Sequence, residues 1–323
     1  MKLNLFSKLV FAAALAFLAS IFIYFSYANV YSSVLFNEET FHQQYGNGIY
    51  QYRILSSYML ESVDALIKSM PFGIKITPYL WDKGADPGFY ISFAVLNTFF
   101  TVLSAIMMVF ITESKYFIAT ETEKTLLISA SLFAIIITQF VIVPYDCSSY
   151  FFLLLFFWVF LKFLHKESWS ILAVLMLIMV ISSLNRETSA LSISLAATIL
   201  FAKSGTGKKF LIPVIFLVLS FVVVYFGVRL YFGRFATHDN NLLALNFRLF
   251  RNWLGIFFWL VFFAFSLIIA KDRTAVRNIV IFHFFAIPYI FMSFYGGILY
   301  ETRLYVPLFL TSVFLGRTEL NRN

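Results

Sequence analysis

Charge is what this sequence has least of. Asp, Glu, Lys and Arg make up 12% of its 323 residues, against roughly 25% in an ordinary soluble domain. A chain that is 61% hydrophobic, with a mean hydropathy of +0.86, has lipid as its natural solvent. Cysteine is nearly absent: the single Cys147 excludes an intramolecular disulfide. The four histidines stand at no metal-ligand spacing, so no metal or other cofactor is indicated. No Asn-x-Ser/Thr sequon occurs, which speaks against a glycosylated eukaryotic surface protein. The net charge of +8 does not mark a nucleic-acid binder, because the basic residues sit in breaks between apolar runs.

Those apolar runs extend from end to end with no soluble-looking block. The expected fold is one all-α integral membrane domain over residues 1–323. A helix crossing a bilayer needs about 20 apolar residues. Ten candidates fit, at about 9–30, 89–112, 126–144, 150–164, 169–184, 189–203, 211–231, 253–270, 279–296 and 303–317. The first is longer than the roughly 7–15 residues of a signal-peptide core and reads as an uncleaved span. With the N-terminus in the cytoplasm, fourteen basic residues fall inside and ten outside. Eight of those ten lie in or beside two longer outer loops, about 31–88 and 232–252, where the positive-inside rule has little force. Both termini are then cytoplasmic. Ten of the fourteen inner residues are Lys, and seven of the ten outer ones are Arg. Arginine is the better grip on phosphate or carboxylate, so the outer side looks built to hold an anion.

Three short outer breaks carry an acid each: "VPYDCSSY" with Asp146, "NRET" with Arg186 and Glu187, and "YETR" with Glu301 and Arg303. Ionisable residues at membrane depth are costly and tend to mark a site or a water-filled cavity. Pairs locking helices together, or anchors in the headgroup layer, are the competing reading. In the first outer loop, Ile54, Leu55, Tyr58, Met59, Val63, Leu66, Ile67 and Met70 recur at helical period. This predicts an amphipathic helix over about 52–70, lying in the membrane surface or packed on the other helices. Glu61, Asp64 and Lys68 fall off that stripe. Ahead of it stand Glu38, Glu39, His42 and Arg53 in a polar, aromatic segment. The fourth outer loop brings Arg234, His238, Asp239, Arg248 and Arg251, which read as a basic aromatic surface for lipid phosphate rather than a metal pair.

Other signals are weaker. "SGTGKK" at 204–209 lacks the full G-x-x-x-x-G-K-[ST] pattern and a preceding strand, and reads as a basic turn. Cys147 has no His nearby in sequence to activate it. His283 lies within an apolar run and is expected to be packed and hydrogen-bonded.

The long outer loop after the first span, its helical stripe at 52–70, Glu38 and Glu39 near its start, and the polar breaks resemble bacterial polytopic glycosyltransferases of the GT-C class. The resemblance implies a protein of the bacterial cytoplasmic membrane. It would move a sugar from a polyprenyl-phosphate donor to a glycan or lipid acceptor at the outer face, with inversion. It implies Glu39 or Glu38 as the base, with Asp146 as substitute. Arg53, Arg186 and Arg303 would bind the lipid phosphate, Glu187 and Glu301 would orient guanidiniums or bind sugar hydroxyls, and His238 would add a substrate contact. The family acid is usually Asp in an Asp-x-Asp-like or Glu-x-Asp-like pattern, and no such pattern follows the first span here. The rival classes are a polysaccharide polymerase or ligase, a lipid-linked sugar flippase or transporter, and a non-enzymatic assembly or immunity factor.

Overall fold

A computed structural model describes residues 4–26, 36–48, 50–70, 85–233 and 241–320. Among them the regular structure is helical, and Phe117 and Thr318 form an isolated antiparallel bridge. In chain order the α-helices are α1 Leu5–Ser26, α2 Glu38–Tyr45, α3 Ile54–Ser69, α4 Pro87–Thr112, α5 Glu121–Ile137, α6 Asp146–His165 and α7 Trp169–Asn185. There follow α8 Ala190–Ser204, α9 Lys208–Tyr231, α10 Leu243–Arg248, α11 Phe250–Ile268, α12 Arg273–Phe285, α13 Ile287–Gly296 and α14 Val306–Leu315.

Local chemistry starts several of these where they start. Asp86 caps α4 by accepting from the amides of Gly88 and Phe89, and Pro87 occupies the first turn, where its missing amide costs nothing. Thr120 and Glu123 close a capping box on α5. The central helix α4 is buried along most of its length. The face of α1 made by Ala12, Ala16, Ser20 and Tyr24 packs inward, and α6 buries a run of Phe and Leu side chains in the same core.

Among the described residues six helices are long and apolar enough to cross a membrane, or seven if α12 and α13 count as one span bent by 51°. That is fewer than the ten expected from apolar runs. At 1.5 Å per residue, the 17, 15 and 10 residues of α7, α8 and α14 rise only about 25, 23 and 15 Å, short of the roughly 30 Å hydrocarbon layer. All ten residues of α14 are buried, so it is a half-length helix inside the bundle. The run 279–296 is interrupted because Pro288, in the first turn of α13, cannot continue α12.

Polar contacts sort the helix ends into two groups. At one end Lys8 pairs with Glu113 (2.8 Å) and with Glu121, Lys124 with Glu113 (2.9 Å), Arg317 with Glu123 (2.9 Å) and Lys271 with Glu319 (3.3 Å). The opposite end gathers the arginines described below. Helix α3 departs from expectation in its packed face. Ser56, Leu60 and Asp64 are buried, whereas Tyr58, Leu66 and Met70 of the apolar stripe are exposed. Asp64 is tolerated inside because Ser92 donates to it (2.9 Å) and Lys68 pairs with it (2.8 Å).

Candidate functional site

The polar breaks converge. Asp146 opens α6, Arg186 and Glu187 join α7 to α8, a 3-10 turn at Thr302–Leu304 leads into α14, and Arg53 precedes α3. Asn185 fixes the α7 end against the α6 start. It accepts from the Ser148 hydroxyl (2.8 Å) and donates to the Tyr145 carbonyl (3.1 Å) and to Ser149 Oγ (3.0 Å). With the backbone so tied, Arg186 reaches Asp146 Oδ1 through Nη1. Arg303 Nη1 donates to Asp146 Oδ2 (2.9 Å), and Arg303 Nη2 and Nε both donate to Glu301 Oε2 (2.6 and 3.0 Å).

A second carboxylate repeats the arrangement. Glu187 is approached by Arg53 Nε (3.3 Å) and by Arg229 Nη2 (3.5 Å). Arg229 stands in the last turn of α9, where a cation suits the helix dipole, and it is sandwiched by Tyr225 (3.5 Å) and Tyr52 (4.2 Å). Tyr145 is the hub, with its ring facing the guanidiniums of Arg53 (4.1 Å), Arg186 (4.8 Å) and Arg303 (5.9 Å). Four arginines thus meet three carboxylates, and three of the four face Tyr145.

Beside this cluster opens a cavity of about 380 Å³. Arg53, Arg186, Glu187 and Arg229 are its charged lining, and Phe221, Tyr225, Tyr289 and Met292 contribute apolar and aromatic surface. Arg186 Nε and Arg229 Nε are buried without a hydrogen-bond partner. Those two atoms are closed off from the cavity, but three arginines against the single carboxylate Glu187 among its lining residues give the wall a net positive charge that suits an anion.

Of the residues singled out in sequence, Arg53, Asp146, Arg186, Glu187, Glu301 and Arg303 come together. Glu38 and Glu39 do not. They are exposed on the first turn of α2, where Glu38 pairs with Lys68 (2.6 Å) and Glu39 accepts from Gln43 (3.4 Å). His238, Arg234 and Asp239 lie outside the described residues. Arg229 and Tyr145 were missed, although an arginine inside the apolar run "FVVVYFGVRLYFG" is itself a signal. Cys147 is buried and free, and His283 is packed, with Nδ1 3.0 Å from the Ile279 carbonyl. Among the described residues no group of three His, Cys, Asp or Glu side chains is placed to hold a metal ion. No family model, curated protein or solved structure matches the chain.

Proposed function

We propose that the protein is a membrane glycosyltransferase of GT-C-like character that uses a polyprenyl-phosphate-linked sugar. One observation carries the reading: a cavity among apolar helices is lined by Arg53, Arg186 and Arg229 against the single carboxylate Glu187. Phosphate matches that net positive wall, and fixed guanidiniums in a poorly solvated site stabilise the charge that develops as a lipid phosphate departs. An acceptor hydroxyl attacks the anomeric carbon from the opposite side, the bond from that carbon to the phosphate oxygen breaks, and the configuration inverts. The hydroxyl proton passes to a carboxylate. Glu187, which lines the cavity, replaces Glu38 and Glu39 in that role. Asp146 and Glu301 are engaged in holding Arg186 and Arg303.

The arginine-rich end is placed on the extracytoplasmic side of a bacterial cytoplasmic membrane. The other end carries Lys8, Lys115, Lys124, Lys203, Lys208, Lys209 and Lys271, as the positive-inside rule asks of a cytoplasmic face. Ten passes follow if the short helices α7, α8 and α14 each complete a crossing together with their polar breaks.

The test is transfer of label from a panel of polyprenyl-phosphate sugars to membrane-extracted acceptors by purified protein. Arg186→Ala and Glu187→Gln are each expected to lower the rate about 100-fold or more. Undiminished transfer by a folded Arg186→Ala variant overturns the assignment. A second reading, transport of the same lipid, is favoured by the broken α12–α13 pair. Pro288, Tyr289, Met292 and Ser293 of α13 line the cavity, as discontinuous helices do in transporters. Movement of labelled lipid across reconstituted vesicles, with no chemical change, would decide for it.

A further inference from the structure

At the lysine-rich end a second cavity, of about 320 Å³, opens where α6 and α8 finish and α7 and α9 begin. Its inner wall is apolar, from Phe163, Leu164, Leu172, Leu200, Ile212 and Pro213. Its rim is polar and basic: Lys203, Lys208 and Lys209 surround Ser168 and Ser204, with Glu167 as the one acid. Glu167 is shared between Lys203 (3.5 Å) and Lys209 (3.4 Å). Among the described residues Lys208 has no ion-pair partner.

The helix starts add to this. Both α7 and α9 begin at the cavity without a side-chain cap, from Ser168 and Gly207. An uncapped helix start presents free amides and a positive dipole end, which favour an anion. Lys208 and Lys209 stand in the first turn of α9, where that dipole disfavours cations. Topology alone asks for lysines near this end, but not for a cavity floored with apolar side chains or for two open helix starts facing it. Trp169, 69% exposed and edge-on to Phe216 (5.8 Å), stands at the mouth, as tryptophans do at headgroup level.

We infer that this cavity binds an anionic glycerophospholipid of the adjoining leaflet, its phosphate held by Lys203, Lys208, Lys209 and the start of α9, and its glycerol and first acyl carbons resting on the apolar wall. Basic pockets between helices at a membrane surface suit such headgroups. The site is at the other end of the bundle from the arginine cluster and does not depend on the transferase reading.

The test uses the full chain, delipidated in detergent and titrated with phosphatidylglycerol, phosphatidylcholine or inorganic phosphate while binding is followed by native mass spectrometry. Each lysine near an anionic headgroup contributes about fivefold in affinity, about 1 kcal/mol. The combined Lys203→Gln, Lys208→Gln and Lys209→Gln variant is therefore expected to bind phosphatidylglycerol about 100-fold more weakly. Glu167→Gln, which removes the competing carboxylate and leaves the lysines in place, is expected to bind it several-fold more tightly. Phosphatidylcholine and inorganic phosphate are expected to bind at least tenfold more weakly than phosphatidylglycerol. Equal binding of phosphatidylcholine and phosphatidylglycerol, phosphate binding as tight as the lipid's, or weaker lipid binding by Glu167→Gln would each overturn the proposal.

Discussion

Removing the charge of Asp146 should be among the most damaging single changes in the molecule. Its side chain is 1% exposed and lies between two guanidiniums, Arg186 on Oδ1 and Arg303 on Oδ2 (2.9 Å). Deleting one partner of a buried ion pair costs about 3–5 kcal/mol, because the other charge is left uncompensated. The two arginines do not suffer equally. Arg303 keeps Glu301 at 2.6 and 3.0 Å, whereas Asp146 is the carboxylate that Arg186 touches. Arg186 also lines the 380 Å³ cavity and keeps the ring of Tyr145 at 4.8 Å, so it is not left without any partner. The cost of Asp146→Asn therefore falls near the lower end, about 3 kcal/mol, a large share of a stability of about 5–15 kcal/mol. Glu301→Gln should cost less, about 1–2 kcal/mol, because Arg303 keeps Asp146. Reversible unfolding in mixed micelles, followed by tryptophan fluorescence, measures both. The double variant Asp146→Asn/Arg186→Gln removes both halves and should recover about 1–2 kcal/mol relative to the sum of the singles. Strict additivity, or a cost below about 1 kcal/mol for Asp146→Asn, would refute a desolvated pair.

Other changes test other parts of the fold. Tyr145→Phe keeps the ring that faces Arg53 and Arg186 and should be nearly neutral. Tyr145→Leu removes it and should cost about 1–2 kcal/mol in the same unfolding assay. A Cβ on Gly255 would lie 1.7 Å from the Leu299 carbonyl oxygen, so Gly255→Ala should lose about 3 kcal/mol or fail to accumulate as folded protein. Gly227→Ala, in helix α9 with open space around it, should instead gain about 0.5–1 kcal/mol, read as a rise in unfolding midpoint. Burial pushes the Glu113 carboxyl up, but hydrogen bonds from Lys8 and Lys124 outweigh it and hold the group below its usual range. A depressed carboxylate contributes stability that is full above its unfolded value of about 4.3 and is lost as pH falls through its lower folded value. The stability gap between the native chain and Glu113→Gln should thus be flat from neutral pH down to about pH 5 and close below it.

How far the sequence spoke depended on the scale asked of it. Apolar runs located the helices, because burial in lipid or core makes the same demand on composition. Whether a run crosses a membrane was less legible. The runs at 169–184, 189–203 and 303–317 become helices of 17, 15 and 10 residues, since the polar breaks between them are drawn into the bundle. The stripe on α3 was visible, but which face packs was not. Asp64 is carried inward by Lys68, one helical turn on, and by Ser92, a partner 28 positions away that periodicity does not register.

The site shows the same division. Arg186, Glu187, Glu301 and Arg303 stood out because a charge between two apolar runs is expensive and needs a reason. Their pairing was only half readable. Glu301 and Arg303 do bind each other, but Arg186 and Glu187 part company. Arg186 is extended, with φ −166° and ψ 145°, and in extended backbone successive side chains point to opposite sides. Arg186 therefore turns to Asp146, forty positions earlier, while Glu187 turns to Arg53 and Arg229. Adjacency in sequence, which suggested that Glu187 aims Arg186, is what sends the two side chains to different partners. Glu187 aims the other two arginines of the cavity instead. Its loss should be felt first in the positions of Arg53 and Arg229, while the Asp146–Arg186 pair stays in place.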